Sequence, residues 1–439
     1  MKQLRNWLVR VRRPRFPQRW HFSGLIAPAA MLSWSIGIDP IMPMSEVGRA
    51  SAGQRQSTAT SQAPDQPDQK LVSVRLPDAQ SQAALRVRLR TRVVAEVPSR
   101  ASDAGQLAGV IGLVRTDDGG FLVAESSTSR LQLFSSNGVP GRTIGREGAG
   151  PGEFKSMLAM VRCGPRAVAV QDPALNRASI FTFVPRHAGE TTLPVGFTTD
   201  RIVGCDDSLK LVILSDQPKV IPVEKGVVRT RAVIAIASRA GKVDTIVAMP
   251  GTDFIFARQV PGFVDLPLGQ RALAAVGSEV IAAGVSTDGI VSLFDLTGRP
   301  MRRLHFQTPR HRLGAAEVQE AYRKRVSLEF GKETQALLAA VLREAPAEAQ
   351  LPMIADLRVA LDDRIWVQTH PPAKSAAASW YVVSATGQLE GVLLLARSFT
   401  PYEIGSSYIL GVNHDADGVE TVQLLSIGRD MPPRHEIRE

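Results

Sequence analysis

The stretch 110-VIGLVRTDDGGFLVAESSTSRLQLFSSNGVPGRTI-144 decides the fold. Short runs rich in Val, Ile, Leu and Phe alternate in it with turn-forming residues, above all Asp117–Gly120 and Ser136–Gly138. Asp and Asn favour turns because their side chains bond the local backbone, and Gly adopts positive φ at no steric cost. The pattern predicts a unit of four short strands joined by turns.

The unit recurs along the chain, with similar runs at Arg177–Phe181, Arg231–Ile236, Ile290–Asp295, Trp380–Val383 and Val419–Leu425. Turn glycines keep the register in four of the units: Gly138, Gly241, Gly298 and Gly387. A period of roughly 40–50 residues with four strands per period is typical of a β-propeller. We therefore expect an all-β, six-bladed β-propeller over residues 86–427, with the strand 86–97 completing the last blade so that no edge is left open.

One repeat, between Gly298 and Gly387, is longer than the others, and its apolar period becomes helical. Two stripes separated by Gly331 carry this period: Val318, Tyr322, Val326 and Phe330, then Leu337, Leu338, Val341 and Leu342. The pattern predicts a small α-helical hairpin at about 315–345, inserted between late blades. Such a hairpin either caps one face of the propeller or acts as a lid or partner-binding element.

The N-terminal residues 1–52 have the composition of a targeting segment. Basic residues are followed by an apolar stretch, Phe22–Ile38, and then by Ala50–Ala52, an A-x-A pattern that suits a signal peptidase. This predicts export to the periplasm or the extracellular space, with an uncleaved membrane anchor as the alternative. Residues 53–85, rich in Gln, Ser, Ala, Pro and Asp, are expected to form a flexible linker, and residues 428–439 a tail.

The net charge of +10 does not indicate a nucleic-acid-binding protein. Residues 1–52 hold eight basic and two acidic residues, so six of the ten net positive charges belong to the leader. Aromatic residues make up only 5% of the chain, too few for a base-stacking platform. We therefore expect no nucleic-acid partner.

Cys163 and Cys205 are the only two cysteines, and neither lies in a C-x-x-C motif. Each ends a Val-containing strand at the start of consecutive units, so the two could lie at equivalent positions of neighbouring inner strands. In an exported chain they could form a disulfide, while two buried thiols are the alternative.

The segment 145-GREGAGPGEF-154 resembles the G-x-x-G-x-G-P-G-E-F segment of the NHL-like six-bladed β-propellers, which carry it at the link between two blades. Leu361–Val367 is similar to their D-x-x-G-x-I-W-V hairpin, with Arg364 in place of the glycine. Tyr408–Val412 and the strand from Val419 are similar to the closing blade of exported bacterial members. The resemblance covers residues 86–427 and implies the fold, but no activity, because propellers serve binding, scaffolding and catalysis alike.

No catalytic motif is present. The seven histidines form no H-x-H or H-E-x-x-H pattern, two cysteines cannot make a four-ligand thiolate site, and no nucleophile motif is found, so we expect no metal, catalytic residue or cofactor. The densest basic patch after the leader directly precedes the helical insertion in the sequence. His370 follows one blade later. The candidate ligand-binding residues are therefore Arg302, Arg303, Arg310, His311, Arg312 and His370.

The favoured function is that of an exported, monomeric binding or scaffold module. It would recognise a protein or a cell-surface ligand at the propeller face beside the insertion, without catalysis. The alternative is a metal-dependent hydrolase or lyase with its site in the central channel. A membrane-tethered sensor is a third hypothesis, and it requires an uncleaved leader.

Overall fold

The computed structural model describes residues 70–77, 88–97, 107, 109–183, 187–192, 200–216, 226–256, 263–308, 311–327, 331–370, 375–415 and 418–429. The leader 1–52 and most of the expected linker and tail lie outside the described residues. Within them, the structure is mostly β, and most of the strand pairs are antiparallel.

We divide most of the described strands into six groups of mainly antiparallel neighbours and number them as sheets in chain order. Strand pairing also joins sheet 2 to sheet 3 through β7 and β11, and sheet 5 to sheet 6 through β25 and β2. Sheet 1 holds β3 (Val110–Arg115), β4 (Phe121–Glu125), β5 (Arg130–Phe134) and β6 (Pro140–Ile144). Sheet 2 holds β7 (Ala159–Cys163), β8 (Ala167–Asp172), β9 (Arg177–Thr182) and β10 (His187–Thr192), with a 3₁₀ turn at Pro173–Leu175. Sheet 3 holds β11 (Arg201–Cys205), β12 (Leu211–Ser215), β13 (Gly226–Ala237) and β14 (Val243–Phe256), with β15 (Phe263–Asp265) added to the end of β14.

Sheet 4 holds β16 (Ala272–Val276), β17 (Val280–Val285), β18 (Ile290–Asp295) and β19 (Pro300–Gln307). Sheet 5 holds β22 (Asp356–Val359), β23 (Ile365–Gln368), β24 (Ala377–Val383) and β25 (Leu389–Ala396). Sheet 6 holds β26 (Phe399–Ile404), β27 (Tyr408–His414), β28 (Glu420–Arg429) and the N-terminal β2 (Arg88–Val97). β28 thus runs two residues past the expected end of the propeller at 427.

The first strands of the sheets lie side by side in a ring. Contacts run from β3 to β7, β11, β16 and β22, and β26 returns to β3. Sheets 5 and 6 are joined where the Leu361 N–H donates to the Ile404 carbonyl at 2.8 Å. A ring of such meanders is a β-propeller, which confirms the expected all-β propeller fold.

The ring is closed by β2, which pairs antiparallel with β28 and forms the outer strand of sheet 6. The expectation that residues 86–97 complete the last unit is thus confirmed. The four turn glycines also lie in turns, as predicted. Each has a positive φ between 80° and 93° in the turn between the third and fourth strands of its sheet.

Two faces of the ring follow from the alternation of strand direction. On one face the first strands begin, and the links between successive sheets lie there; we call it the entry face. On the other face the first strands end, and the turns between first and second strands lie there; we call it the exit face. On the exit face Cys163 and Cys205 form a disulfide between β7 and β11, with their Cα atoms 4.6 Å apart.

The expected linker 53–85 is wrong in part. Within it, Leu71–Arg75 form β1, which pairs parallel with β19 as a fifth, outer strand of sheet 4. Val74 and Leu76 are buried, at 3% and 4% exposure, and the Tyr381 hydroxyl donates to the Pro77 carbonyl at 2.7 Å. Burial of these apolar side chains offsets the entropy cost of ordering the segment.

The helical hairpin is confirmed as α1 (Ala315–Ser327) and α2 (Lys332–Leu342), with Gly331 at the N-terminus of α2. It lies between sheets 4 and 5, on a neck formed by β20 (Arg312–Leu313) and β21 (Ala349–Gln350). Its apolar side packs on the end of sheet 3, where β13, β14 and β15 extend past the rest of the sheet; Phe330 lies outside the described residues. Among the described elements, neither helix has the length and apolarity that crossing a membrane requires.

The segment that resembles the NHL-like link lies between β6 and β7, where sheet 1 passes into sheet 2. Phe154 is fully buried there, and its ring centroid lies 5.8 Å from that of Phe181. Glu153 fixes the loop, because its carboxylate accepts from the Gly150 N–H at 2.9 Å and from Arg146 at 2.7 Å. The motif is structural at this position.

Candidate functional site

Four arginines lie at or near the beginning of four successive first strands, on the entry face. Arg201 is the first residue of β11, Arg271 directly precedes β16, Arg358 lies in β22, and Arg397 lies two residues before β26. Because first strands of neighbouring sheets lie side by side, these residues form an arc around the centre of the entry face. We call them the arginine arc.

Arg201 is held by a buried glutamine of the preceding sheet. Gln171, the penultimate residue of β8, is fully buried, and its amide group bonds the backbone on both sides of Arg201. Its nitrogen donates to the Asp200 carbonyl, and its oxygen accepts from the Ile202 N–H at 3.0 Å. The backbone of Arg201 is thereby fixed while its side chain remains exposed.

Arg271 is fixed by three backbone hydrogen bonds in a row. The N–H groups of Gln270, Arg271 and Ala272 donate to Asp253 Oδ2, Ser286 Oγ and Thr252 Oγ1, at 2.9, 2.9 and 3.1 Å. All three acceptors belong to buried residues. The side chain of Arg271 is exposed, so a rigid backbone presents a free guanidinium group.

The other two arginines of the arc have partners among the described residues. The Arg358 guanidinium pairs with Asp356 two residues earlier, with an N–O distance of 3.0 Å. Arg397 donates to the Ser375 carbonyl at 3.4 Å. By contrast, neither Arg201 nor Arg271 makes a side-chain hydrogen bond or ion pair with any other described residue, so these two guanidinium groups have no direct partner there.

The electrostatics of the arc are those of a recess. Burial, together with the charges of Arg358 and Arg271, lowers the pKa of Arg201 to about 10. The Arg201 side chain is accessible to solvent and has protein around it, and we call the region between the arginine arc and the end of sheet 3 the recess. Burial also lowers the pKa of His370 to about 4, with Arg271 and Arg397 acting in the same direction, so this imidazole is neutral at pH 7.

One wall of the recess is formed by the end of sheet 3 and by α1. Asp265, the last residue of β15, lies there, and burial raises the pKa of its carboxyl group while Arg271 and Arg325 of α1 oppose the rise. Burial also raises the pKa of Asp216, which directly follows β12 of the same sheet and accepts hydrogen bonds from Thr230 and Thr252. The insertion and the sheet 3 extension thus build one side of the site, next to the arc.

The residues predicted from the basic patch do not come together. Arg302 donates to the Thr386 carbonyl at 2.6 Å, in a turn on the exit face. Arg303 lies in β19 between β18 and β1, while His311 and Arg312 are exposed at the neck of the insertion. Arg310 lies outside the described residues. Of the six candidates, only His370 lies beside the arginine arc.

Sequence reasoning missed all four residues of the arginine arc because they lie far apart along the chain. A usable signal existed, since Arg201 and Arg271 hold nearly equivalent positions at the start of consecutive repeats. Alignment of the repeats on their first strands, rather than on their turn glycines, would have revealed it. Over the described ranges, no group of three or more His, Cys, Asp or Glu side chains is placed to hold a metal ion.

Comparison with known proteins yields solved structures only. No protein-family model and no curated protein matches the sequence. A Bacteroides fragilis protein described as a candidate exported protein matches with 11% identity and a TM-score of 0.44, over 82% of this chain and 100% of the other. A member of the DUF4221 family from Bacteroides vulgatus matches with 9% identity and a TM-score of 0.46, over 79% and 100%. Virginiamycin B lyase from Staphylococcus aureus matches with 9% identity and a TM-score of 0.35, over 77% and 99%. We draw nothing about ligand or activity from structures this distant.

Proposed function

We propose that the protein is a binding module that recognises an anionic ligand in the recess of the entry face, through the arginine arc. The observation that carries the proposal is the pair Arg201 and Arg271. Both side chains are exposed on neighbouring first strands, both backbones are fixed by buried polar residues, and neither guanidinium has a partner among the described residues.

Guanidinium groups suit this task because their planar, fixed donors match carboxylate and phosphate oxygens. An anion placed between Arg201 and Arg271 would also relieve the repulsion between them. The face concerned is the one that carries the helical insertion, as the sequence predicts. His370, being neutral, could add one N–H donor or one acceptor.

The test is to change each unpartnered arginine and measure the affinity for inorganic phosphate, succinate and citrate by calorimetry at low salt, where screening is weak. Arg201→Ser and Arg271→Ser should each weaken the best-bound probe about ten- to a hundredfold, the equivalent of one charge-assisted hydrogen bond. Heparin, as an extended polyanion, shows whether a small anion or a polymer is preferred.

The matched control is Arg299→Ser, which removes an exposed arginine from the exit face, where it pairs with Asp295. It changes the net charge equally and should leave affinity unchanged. If Arg201→Ser and Arg271→Ser bind every probe as tightly as the parent, the ligand site is not the arginine arc.

We also propose that the six sheets are six blades of an NHL-like propeller. The six groups of four strands and the position of 145–154 at the link between two sheets support this. An experimental structure with five or seven blades would refute it.

Export is likewise our proposal. The composition of residues 1–52 supports it, and so does the disulfide, since disulfides persist in oxidising compartments. N-terminal sequencing of protein from the native cells should find a start near Ala52 in the envelope or medium. Intact protein beginning at Met1 in the cytosol would contradict export.

A further inference from the structure

A charge of opposite sign, also without a direct hydrogen bond or ion pair among the described residues, lies beside the arginine arc. The Asp265 side chain is exposed at the end of β15, and its carboxylate makes no hydrogen bond or ion pair with another residue of the described part of the chain. Its backbone is fixed, because Asp265 pairs with Phe254 of β14 and the Leu266 N–H donates to the Asp253 carbonyl at 2.9 Å.

Asp265 and Arg271 lie close together because the segments that carry them bond the same residue, Asp253. The Leu266 N–H donates to the Asp253 carbonyl and the Gln270 N–H donates to Asp253 Oδ2, both at 2.9 Å. Arg271 and Asp216 act electrostatically on both Asp265 and Arg201. Asp216 is already engaged, since its carboxylate accepts from the Thr230 hydroxyl, the Thr252 hydroxyl and the Thr252 N–H. The acid left to meet a ligand on this wall is therefore Asp265.

The two charges are held apart by the fold. Arg201 is anchored in sheet 3 through Gln171 of sheet 2, while Asp265 is anchored on the extension that the helical hairpin supports. The apolar residues beside Asp265, Val264 and Leu266, pack against the hairpin, so the strand cannot slide toward the arc without exposing them. A fixed cation and a fixed anion in one recess suit a ligand that carries both charges.

We propose that Asp265 binds the ammonium group of a small amphoteric ligand whose carboxylate groups bind Arg201 and Arg271. The ligand class is then an amino acid, or a short peptide with a free amine, rather than a simple anion. This inference rests on the proposed function, because it assumes that the arginine arc binds the anionic part.

The test compares L-aspartate with succinate, which share the two carboxylates and differ in the ammonium group. In the parent protein, aspartate should bind about tenfold tighter, as a charge-assisted hydrogen bond provides. The Asp265→Asn variant should bind aspartate only as tightly as it binds succinate. Succinate itself should bind the variant as well as the parent, or more tightly, because a repulsive carboxylate has been removed.

The control is Asp244→Asn, which changes an exposed carboxylate on the exit face, where Asp244 pairs with Lys242 at 3.0 Å. It should preserve the preference for aspartate. L-Malate, which carries a hydroxyl group in place of the ammonium group, is the third probe.

The outcomes separate the two proposals. If Arg201→Ser leaves the binding of all probes unchanged, the proposed function itself fails. If arginine-dependent binding is found but aspartate and succinate bind equally, the assignment of Asp265 is overturned while anion binding stands. Phosphate binding without either dicarboxylate, or malate bound more tightly than aspartate, also overturns it.

Discussion

At the scale of the residue, Glu403 connects three sheets at the exit face. The residue is 6% exposed, and its carboxylate accepts from the Arg115 N–H at 3.0 Å, from Arg162 Nε at 2.7 Å and from the Tyr408 hydroxyl at 2.7 Å. Sheets 6, 1 and 2 are thereby joined across the point where the ring closes. Three donors compensate for the burial of this charge, which would otherwise be costly.

Glu403→Ala should lower the free energy of unfolding by about 3–5 kcal/mol, because it leaves the largely buried Arg162 guanidinium without its counter-charge. Urea unfolding followed by tryptophan fluorescence measures this. The matched variant is Glu279→Ala, an exposed glutamate on the same face, which should change stability by less than about 0.5 kcal/mol. Equal effects of the two variants would show that Glu403 has no special part in closing the ring.

Contacts of this kind could not be predicted from the sequence. Arg162 and Glu403 lie 241 positions apart, and no local pattern distinguishes them from solvent-exposed charges. The same holds for Gln171 and Arg201, which meet only because sheets 2 and 3 are neighbours. Polar contacts between repeats depend on which side chains face each other across the ring, and periodicity carries no information about that.

At the scale of the element, the helical hairpin shows what amphipathic spacing does and does not predict. The stripes Val318–Tyr322 and Leu338–Leu342 correctly indicated two helices with one apolar side each. They did not indicate the partner, since a stripe shows that a face is buried but not against what. The partner is the extension of sheet 3, whose residues Val264 and Leu266 precede the hairpin by about fifty positions.

Two adjacent leucines of α2 provide a matched pair for testing this packing. Leu338 is 6% exposed within the interface, while Leu337 is 38% exposed on the opposite side. Leu338→Ala should destabilise the hairpin and the sheet 3 extension by about 2–4 kcal/mol, the usual cost of a buried leucine, and Leu337→Ala by less than about 1 kcal/mol.

Hydrogen exchange locates the effect of these variants. Faster exchange in Leu338→Ala should appear in the helices and in residues 226–232 and 250–256, with the first strands of the six sheets unchanged. Exchange that accelerates throughout the ring would mean that the hairpin is a part of the propeller core rather than an addition to it.

At the scale of the whole molecule, the sequence repeat predicted the ring and its closure. It did not predict the path of the N-terminal segment. β1 was missed because polar, linker-like residues precede it and the strand is only five residues long. In the structure β1 pairs with sheet 4, the Pro77 carbonyl accepts from Tyr381 of sheet 5, and β2 pairs with sheets 5 and 6. The N-terminal segment therefore contacts sheets 4, 5 and 6, which are neighbours in the ring.

Truncation from the N-terminus separates the two parts of this segment. A chain that begins at Lys70 keeps both strands and should unfold at the same urea concentration as the chain that begins at Ala52. A chain that begins at Asp78 lacks β1, and its free energy of unfolding should fall by about 3–6 kcal/mol, since Val74 and Leu76 no longer cover sheet 4.

A chain that begins at Ser99 also lacks β2, which leaves β28 as an open edge and should give aggregated protein in size-exclusion chromatography. A synthetic peptide of residues 86–98, added during refolding, should restore monomeric protein if the loss of β2 alone is the cause. A Ser99 chain that is monomeric and as stable as the Lys70 chain would show that β2 does not close the ring.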